Sequence, residues 1–410
     1  MDTEAKVETV PLRTQLPKVI FGTSSLGNLF ADVPHADKLA VVSKILEQVR
    51  TETHFLSLGL DGHASIQACW DVLTRSVAPI LCTRGQVMSV TLSHHLVSPS
   101  SPHASSPPSP FLSQVDDDVP MFDSAGKYGA GLALEEIGLC LEELGVAPDS
   151  VLISNKLAWK RAPLLTPEPT FEPGAWVNIK NDAVQDISYQ GMMDCYAEGN
   201  ALLGKYEAKV VSVHDPDEYL AAATDDADRE RRKGDILEAY RALAELKEAG
   251  KVVSIGVGAK DVSCIDWLCE NVQLDWAMFA CSITVYAHDE VAQNLLKKLG
   301  GQGVAVINSA VFNAGFLIGG GHFDYRAVTV ETDPELFAWR DKFNALCEEF
   351  GVKATEACVQ FSFLFPEIKS IALSTSKPSR VEGNVALASA VVPAAFWEGM
   401  KEAGLVNLSL

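Results

Sequence analysis

The chain has 410 residues, 47% of them apolar, enough to bury a large core as one domain or two. Its 33 basic and 54 acidic residues leave a formal charge of −21, which argues against nucleic acid or an anionic membrane surface as the main partner, since both reward a basic footprint. Nine scattered cysteines without a C-x-x-C pair suit reduced thiols rather than a disulfide framework or a zinc ribbon, and no secretory pattern opens the chain, so a cytoplasmic enzyme is expected.

In chain order, KVIFGT (18–23) is a short apolar run, followed by a helical stretch at 36–48. Residues 50–114 then break the pattern. They contain no Lys and no Tyr, but twelve Ser, six Pro and five of the nine His, ending in the low-complexity tract SPSSPHASSPPSP. A βαβ unit requires only a short loop here. Removing the 65 residues leaves a 345-residue chain that reads continuously, so 50–114 is expected to be a disordered lineage-specific insertion or a translated, unspliced intron.

Beyond it, Asp116, Asp117 and Asp118 read as a solvated turn. The apolar runs 119–123, 151–156, 208–214, 252–258, 274–281, 303–308 and 368–375 alternate with helical stretches. Near-continuous apolar runs are expected of parallel strands buried on both faces. One helix is predicted from Asp235, its cap, to Gly250, with the charged run 225–235 as an exposed loop before it. Another follows Pro334 and stops before Gly351. The uncharged stretch Gly300–His322 is of membrane-spanning length, yet its asparagines and seven glycines suit a buried strand running into a loop. Eight strands alternating with helices predict a (β/α)8 barrel, a TIM barrel, carrying the insertion between its first helix and second strand. A doubly wound sheet is the alternative, weakened because no strand leads into a G-x-G-x-x-G turn.

In such a barrel the active groups stand at the C-terminal strand ends. Those ends carry Asp123 with Tyr128, then Lys156, then His214, on consecutive strands. A tyrosine titrates near ~10, too high for neutral acid–base work, but a nearby ammonium lowers that value and a carboxylate can hold the ammonium in place. Tyr128 can then exchange a proton with a carbonyl or hydroxyl oxygen while a hydride moves at carbon, with His214 fixing the same oxygen. His214 with Asp215 and Asp217 also admits a metal-site reading, opposed by the absence of a second His at ligand spacing; no metal is expected.

FDSAGKYGAG (122–131), SNK (154–156), SVHDPD (212–217) and STSKPSRVEGN (374–384) together resemble the aldo-keto reductase family. HDPD, ELKEAGKVVSIGVGAKD (245–261) and VFNAGFL (311–317) look most like its aldose dehydrogenase branch, which includes fucose, galactose and pyridoxal dehydrogenases. The resemblance implies NADP or NAD bound without a Rossmann fold, and a small sugar or aldehyde as substrate. It implies a catalytic tetrad of Asp123, Tyr128, Lys156 and His214. Cofactor contacts would come from Gly22 and Thr23, from Asn313 to Gly315, and from Ser374, Thr375, Lys377, Arg380 and Asn384. Lys377 and Arg380 can neutralise a 2′-phosphate, which favours NADP. Departures from the family pattern are Gly258-Ala259 in place of Ser-Asn, Cys281 in place of Gln or Asn, Ser309 (with Phe312 nearby) where a stacking Tyr stands, and Ser374 in place of Lys.

The segment Leu157–Asp186 is expected over the mouth, with Trp159 and Trp176 lining it. A monomer or small homo-oligomer is expected, with neither nucleic acid nor membrane as partner. A second functional reading is a non-catalytic, cofactor-sensing subunit; a third is that activity belongs to the 345-residue form alone.

Overall fold

The computed structural model describes residues 16–57 and 119–408. The chain divides into a unit formed by Met1–Arg50 with Val115–Leu410 and a second unit, Thr51–Gln114. The proposed insertion, apart from the helix end at 50–57, and the aspartates 116–118 lie outside the described residues.

Eight parallel strands close into a barrel. In chain order they are Val19–Gly22 (β1), Met121–Ala125 (β2), Leu152–Leu157 (β3), Val210–His214 (β6), Ser254–Ala259 (β7), Trp276–Ala280 (β8), Ala305–Ser309 (β9) and Ile368–Ser374 (β12). Around the barrel the order is β1-β12-β9-β8-β7-β6-β3-β2, all parallel. Two hairpins lie outside it: Trp159–Pro163 (β4) with Asn181–Gln185 (β5), and His322–Phe323 (β10) with Arg326–Ala327 (β11).

The apolar runs reflect burial on both faces. Ile20, Met121, Val210, Trp276, Met278, Ala305 and Ile307 point into the barrel and fill it. Their neighbours Phe21, Phe122, Val211, Ala277 and Val306 face the helical layer instead. Each fully buried large apolar side chain contributes about 1.5–3 kcal/mol. The indole of Trp276 fits because position 256 is glycine; a Cβ there would stand 2.2 Å from the ring. The uncharged stretch after Gly300 resolves into the end of a helix, β9 and a loop. No helix among the described residues is long and apolar enough to cross a membrane.

The barrel helices include His35–Ser57 (α1), Leu132–Glu143 (α2), Tyr189–Leu203 (α3), Pro216–Ala221 (α4) and Asp226–Glu248 (α5). The last corrects the sequence expectation. The charged run 225–235 is not a loop but the first turns of α5, capped by Asp225, whose side chain accepts from Asp228 N–H. Ion pairs from Arg231 to Asp228 and Asp235, and from Arg232 to Asp228, support these turns at i,i+3 and i,i+4 spacing. Asp235 lies inside the helix and accepts from Tyr219 Oη at 2.7 Å.

Candidate active site

The strand register brings the chemistry together. Asp123 stands beside Gly22 on one side and Ser154 on the other, and Lys156 stands beside Ala125. The Asp123 carboxylate is buried and accepts from Lys156 Nζ at 2.5 Å and from Ser154 Oγ at 2.7 Å. Its backbone carbonyl accepts from both the N–H and the hydroxyl of Thr23, at 2.9 and 3.0 Å. At the end of β7, the missing side chain of Gly258 leaves room for Lys156, whose Cδ would lie 3.0 Å from a Cβ there.

Tyr128 sits on the glycine-rich turn between β2 and α2. A Cβ on Gly126 would stand 2.4 Å from the Trp159 carbonyl oxygen. One on Gly129, where φ is +61°, would stand 2.3 Å from that of Gly27. The turn is thus wedged between two loops, and only glycine permits the approach. The Lys156 ammonium lies 4.8 Å from the Tyr128 ring centroid, His214 meets the ring edge-on at 5.6 Å, and Trp176 packs at 5.9 Å.

The protonation states differ from the sequence expectation in one respect. An ammonium was expected to lower the Tyr128 phenol. Instead the phenol is held well above its ordinary value by burial, then by the charges of Asp123 and Asp215; Lys127 opposes this. The Lys156 ammonium is already engaged by the Asp123 carboxylate. His214 is pushed down to about 3 by burial, against the pull of Asp215, and is a neutral imidazole at ordinary pH.

Neighbouring carboxylates are committed within the protein. Asp215 takes a hydrogen bond from Lys127 Nζ at 2.8 Å, and Asp217 Oδ2 accepts from the N–H groups of Lys260 and Asp261. Asp217 Oδ1 and His214 Nδ1 are buried without a hydrogen-bond partner among the described residues. Among the described residues, one group with metal-ligand chemistry is His35, Glu136 and Cys140. There both imidazole nitrogens already bond to glutamates, at 2.6 and 3.0 Å, and Lys38 shares Glu136, so the cluster ties α1 to α2 as an ion-pair network.

The residues expected at a cofactor come from three adjacent strand ends, β9, β12 and β1, next to the catalytic arc β2-β3-β6 in the closed ring. Gly22 pairs with Ser374 in register, and Ser25 Oγ donates to the Thr375 carbonyl at 2.9 Å, tying two of these loops. Asn313 is buried, with its Oδ1 unpaired and its Nδ2 donating to the Cys281 carbonyl at 3.5 Å. Gly315 has φ of +90° and Asn384 is half-buried. Lys377 and Arg380 are exposed and form no ion pair with the described residues. A buried orphan amide and two unpaired cations fit the polar and phosphate groups of a dinucleotide. Cys281 is buried with its thiol pushed up to about 12 by burial, so it is inert as a nucleophile. Ser309 Oγ donates to the Phe279 carbonyl, and Phe312 is half-buried against the core.

The segment between β4 and β5 reaches the site as expected: Leu29 bridges to Trp176, and Trp159, Phe171 and Trp176 form a small cluster with Tyr128. Sequence reasoning missed Ser154, Lys127, Glu172 and Tyr325. Tyr325, on the turn joining β10 to β11, is 45% exposed, yet its phenol is pushed up by desolvation from the surrounding protein and then by Cys281, Tyr128, Asp215 and Glu172, which marks it as a neighbour of the same mouth. Ser154 lies within the SNK motif and Lys127 within FDSAGKYGAG; Glu172 and Tyr325 carry no periodic or motif signal.

A closed parallel barrel with a tyrosine, a lysine–aspartate pair and a histidine gathered at its C-terminal mouth has the build of a barrel enzyme. The model of the aldo/keto reductase family matches residues 115–404, and the chain belongs to that family. It is an oxidoreductase, of a family that uses NAD(P)H. The chain is 27% identical to pyridoxal 4-dehydrogenase of Microbacterium luteolum over 308 residues, 71% of this chain and 86% of that protein. It is 29% identical to L-galactose dehydrogenase of Arabidopsis thaliana over 154 residues, 37% of this chain and 46% of the relative. Both agree with the aldose dehydrogenase branch expected from the motifs. In fold it resembles the glycerol dehydrogenase of Gluconobacter oxydans, with a TM-score of 0.57 at 15% identity, covering 96% of this chain and 94% of that one.

Proposed function

We propose that this enzyme interconverts a small aldose or aldehyde with its oxidised or reduced partner, using NADP in preference to NAD, with Tyr128 as general acid and base. The observation that carries the reading is the meeting of Tyr128 with the Lys156–Asp123 pair and with neutral His214. When bound, the nicotinamide supplies or accepts the hydride. Gly22, Thr23, Asn313, Gly315, Ser374, Thr375 and Asn384 would line its cleft, and Lys377 with Arg380 would receive the 2′-phosphate.

Tyr128 is a phenol at neutral pH, so its resting form is ready to donate a proton to a carbonyl oxygen. His214, uncharged and held edge-on to the tyrosine ring, is placed to hydrogen-bond the same oxygen. In the oxidative direction Tyr128 must first lose its proton. Oxidation therefore gains rate as pH rises, and reduction loses it at alkaline pH. Trp176, buried between Tyr128 and Phe171, backs the tyrosine and gives the wall beside it an apolar character that suits a small sugar or a pyridoxal-like ring. The enzyme is read as a cytoplasmic monomer or small homo-oligomer acting on small molecules.

The test is an assay of the full chain and of the form lacking 50–114, following NAD(P)H with a panel of aldoses, pyridoxal and simple aldehydes. Turnover that falls about 10²–10⁴-fold in Tyr128→Phe, at unchanged cofactor affinity, supports the reading. Undiminished turnover in that variant overturns it, and cofactor binding without turnover in either form favours a cofactor-sensing subunit.

A further inference from the structure

Lys127 immediately precedes Tyr128 on an outer turn, yet it is 3% exposed. An isolated ammonium buried this deeply would cost several kcal/mol. Here its Nζ meets Asp215 Oδ2 at 2.8 Å, Glu172 Oε1 at 2.8 Å and Glu218 Oε2 at 3.1 Å, and lies 5.0 Å over the Trp159 ring. Burial opposes its charge, but the three carboxylates prevail and hold it protonated.

Each partner is attached to something at the mouth. Asp215 follows His214, with its carboxylate 3.5 Å from the imidazole Nε2. Glu172 uses its other oxygen to accept from Trp176 Nε1 at 2.7 Å, and Trp176 packs on Tyr128. Glu218 belongs to α4, the helix that leads away from His214. One cation therefore joins three chain segments: the Tyr128 turn, the end of β6 and the segment between β4 and β5.

We infer that Lys127 is a positioning residue, which clamps the Tyr128 turn to the His214 strand end and to the Trp176 wall and so sets the separation across which the proton moves. The role rests on the proposed function, since it presumes that Tyr128 exchanges a proton with the substrate. It also carries an electrostatic signature. The charged and titratable groups facing Tyr128 are Asp123 from β2, Lys156 from β3, His214 and Asp215 from β6, Glu172 from the segment between β4 and β5, Tyr325 from the turn between β10 and β11, and Lys127 itself. Lys127 draws the phenol down, whereas Asp123, Asp215 and Glu172 push it up. Removing Lys127 and removing Glu172 must therefore move the tyrosine in opposite directions, which a merely structural contact would not do.

The experiment compares Lys127→Met, Lys127→Arg and Glu172→Gln with the wild type and Tyr128→Phe, measuring kcat, KM, cofactor affinity and the pH profile of carbonyl reduction. Lys127→Met should lower kcat about 10–100-fold, the cost of a displacement near 1 Å. Cofactor affinity should hold and the alkaline limb should move up. Lys127→Arg should recover most of the rate, and Glu172→Gln should move the limb down. Wild-type kcat with an unshifted limb in Lys127→Met overturns the role. So does an arginine variant as impaired as the methionine one. If Lys127→Met does not fold, Glu172→Gln decides, because that glutamate side chain is 39% exposed and readily replaced; an unshifted limb there overturns the role. Undiminished turnover in Tyr128→Phe instead overturns the functional reading, and the two failures are told apart in one preparation.

Discussion

Gly129 lies against the carbonyl of Gly27 so closely that a Cβ on it would stand 2.3 Å from that oxygen, and a Cβ on Gly27 would in turn stand 2.8 Å from the Tyr128 carbonyl carbon. The loop leaving β1 and the turn carrying Tyr128 are back to back. Gly129→Ala combines a strained positive φ with a backbone clash, and should cost about 1–3 kcal/mol of stability. Thermal melting reads the loss. Activity should fall further than stability explains, because relief of the clash moves Tyr128.

The Asp123–Lys156 pair is buried on adjacent strands. Lys156→Met strands a buried carboxylate and should destabilise the barrel by about 3–5 kcal/mol. Replacing both partners with apolar residues should cost less than that single change. A denaturant double-mutant cycle gives the coupling. A double variant less stable than Lys156→Met would contradict this account.

His214 is held down to about 3, against 6.5 in an unfolded chain. The unfolded state therefore takes up a proton first as pH falls, so the benefit of a neutral His214 is complete above pH 6.5 and is lost progressively toward about 3. Stability of the wild type should fall across that window. His214→Gln should show a shallower decline in urea titrations at successive pH values.

His35 behaves in the opposite sense. Its hydrogen bond to Glu136, opposed by desolvation and aided by Glu143, raises it above 6.5. The tie between α1 and α2 is complete below 6.5 and is lost as pH rises through the folded value. The side chain is 38% exposed, so the effect is at most about 1 kcal/mol. The stability difference between wild type and His35→Gln should shrink from mildly acidic to mildly alkaline pH.

Lys377 and Arg380 are exposed cations without acidic partners among the described residues. Converting both to alanine should weaken NADP binding about 10–100-fold, the worth of one to two charge-assisted hydrogen bonds, and leave NAD binding nearly unchanged. Isothermal titration with each cofactor separates the two outcomes. Equal loss for both would remove these residues from phosphate recognition.

Much of this was legible in the sequence, because a parallel barrel writes its strands as apolar runs and its chemistry as polar residues at their ends. Asp123, Lys156 and His214 were found in that way. The start of α5 was missed because its first turns are held by arginine–aspartate pairs, and its buried face begins only at Ile236. The direction in which the Tyr128 phenol moves is not legible in the sequence. Adjacency of a lysine is visible in a motif, but the carboxylate that engages that lysine, and the burial of the ring, are properties of the closed mouth. Glu172 and Trp176 lie in a segment without periodicity, and nothing in it announced a bond to Lys127.

The register of β2 carries one more consequence. Phe122 is held opposite Phe21 and Ile153, and Asp123 opposite Gly22 and Ser154. A slip of one residue would turn the carboxylate into the apolar layer beneath the helices. Alignment with its two neighbours, rather than the length of chain that delivers it, fixes where β2 sits. The carboxylate therefore reaches its place by pairing, and the length of the stretch between α1 and β2 does not set it.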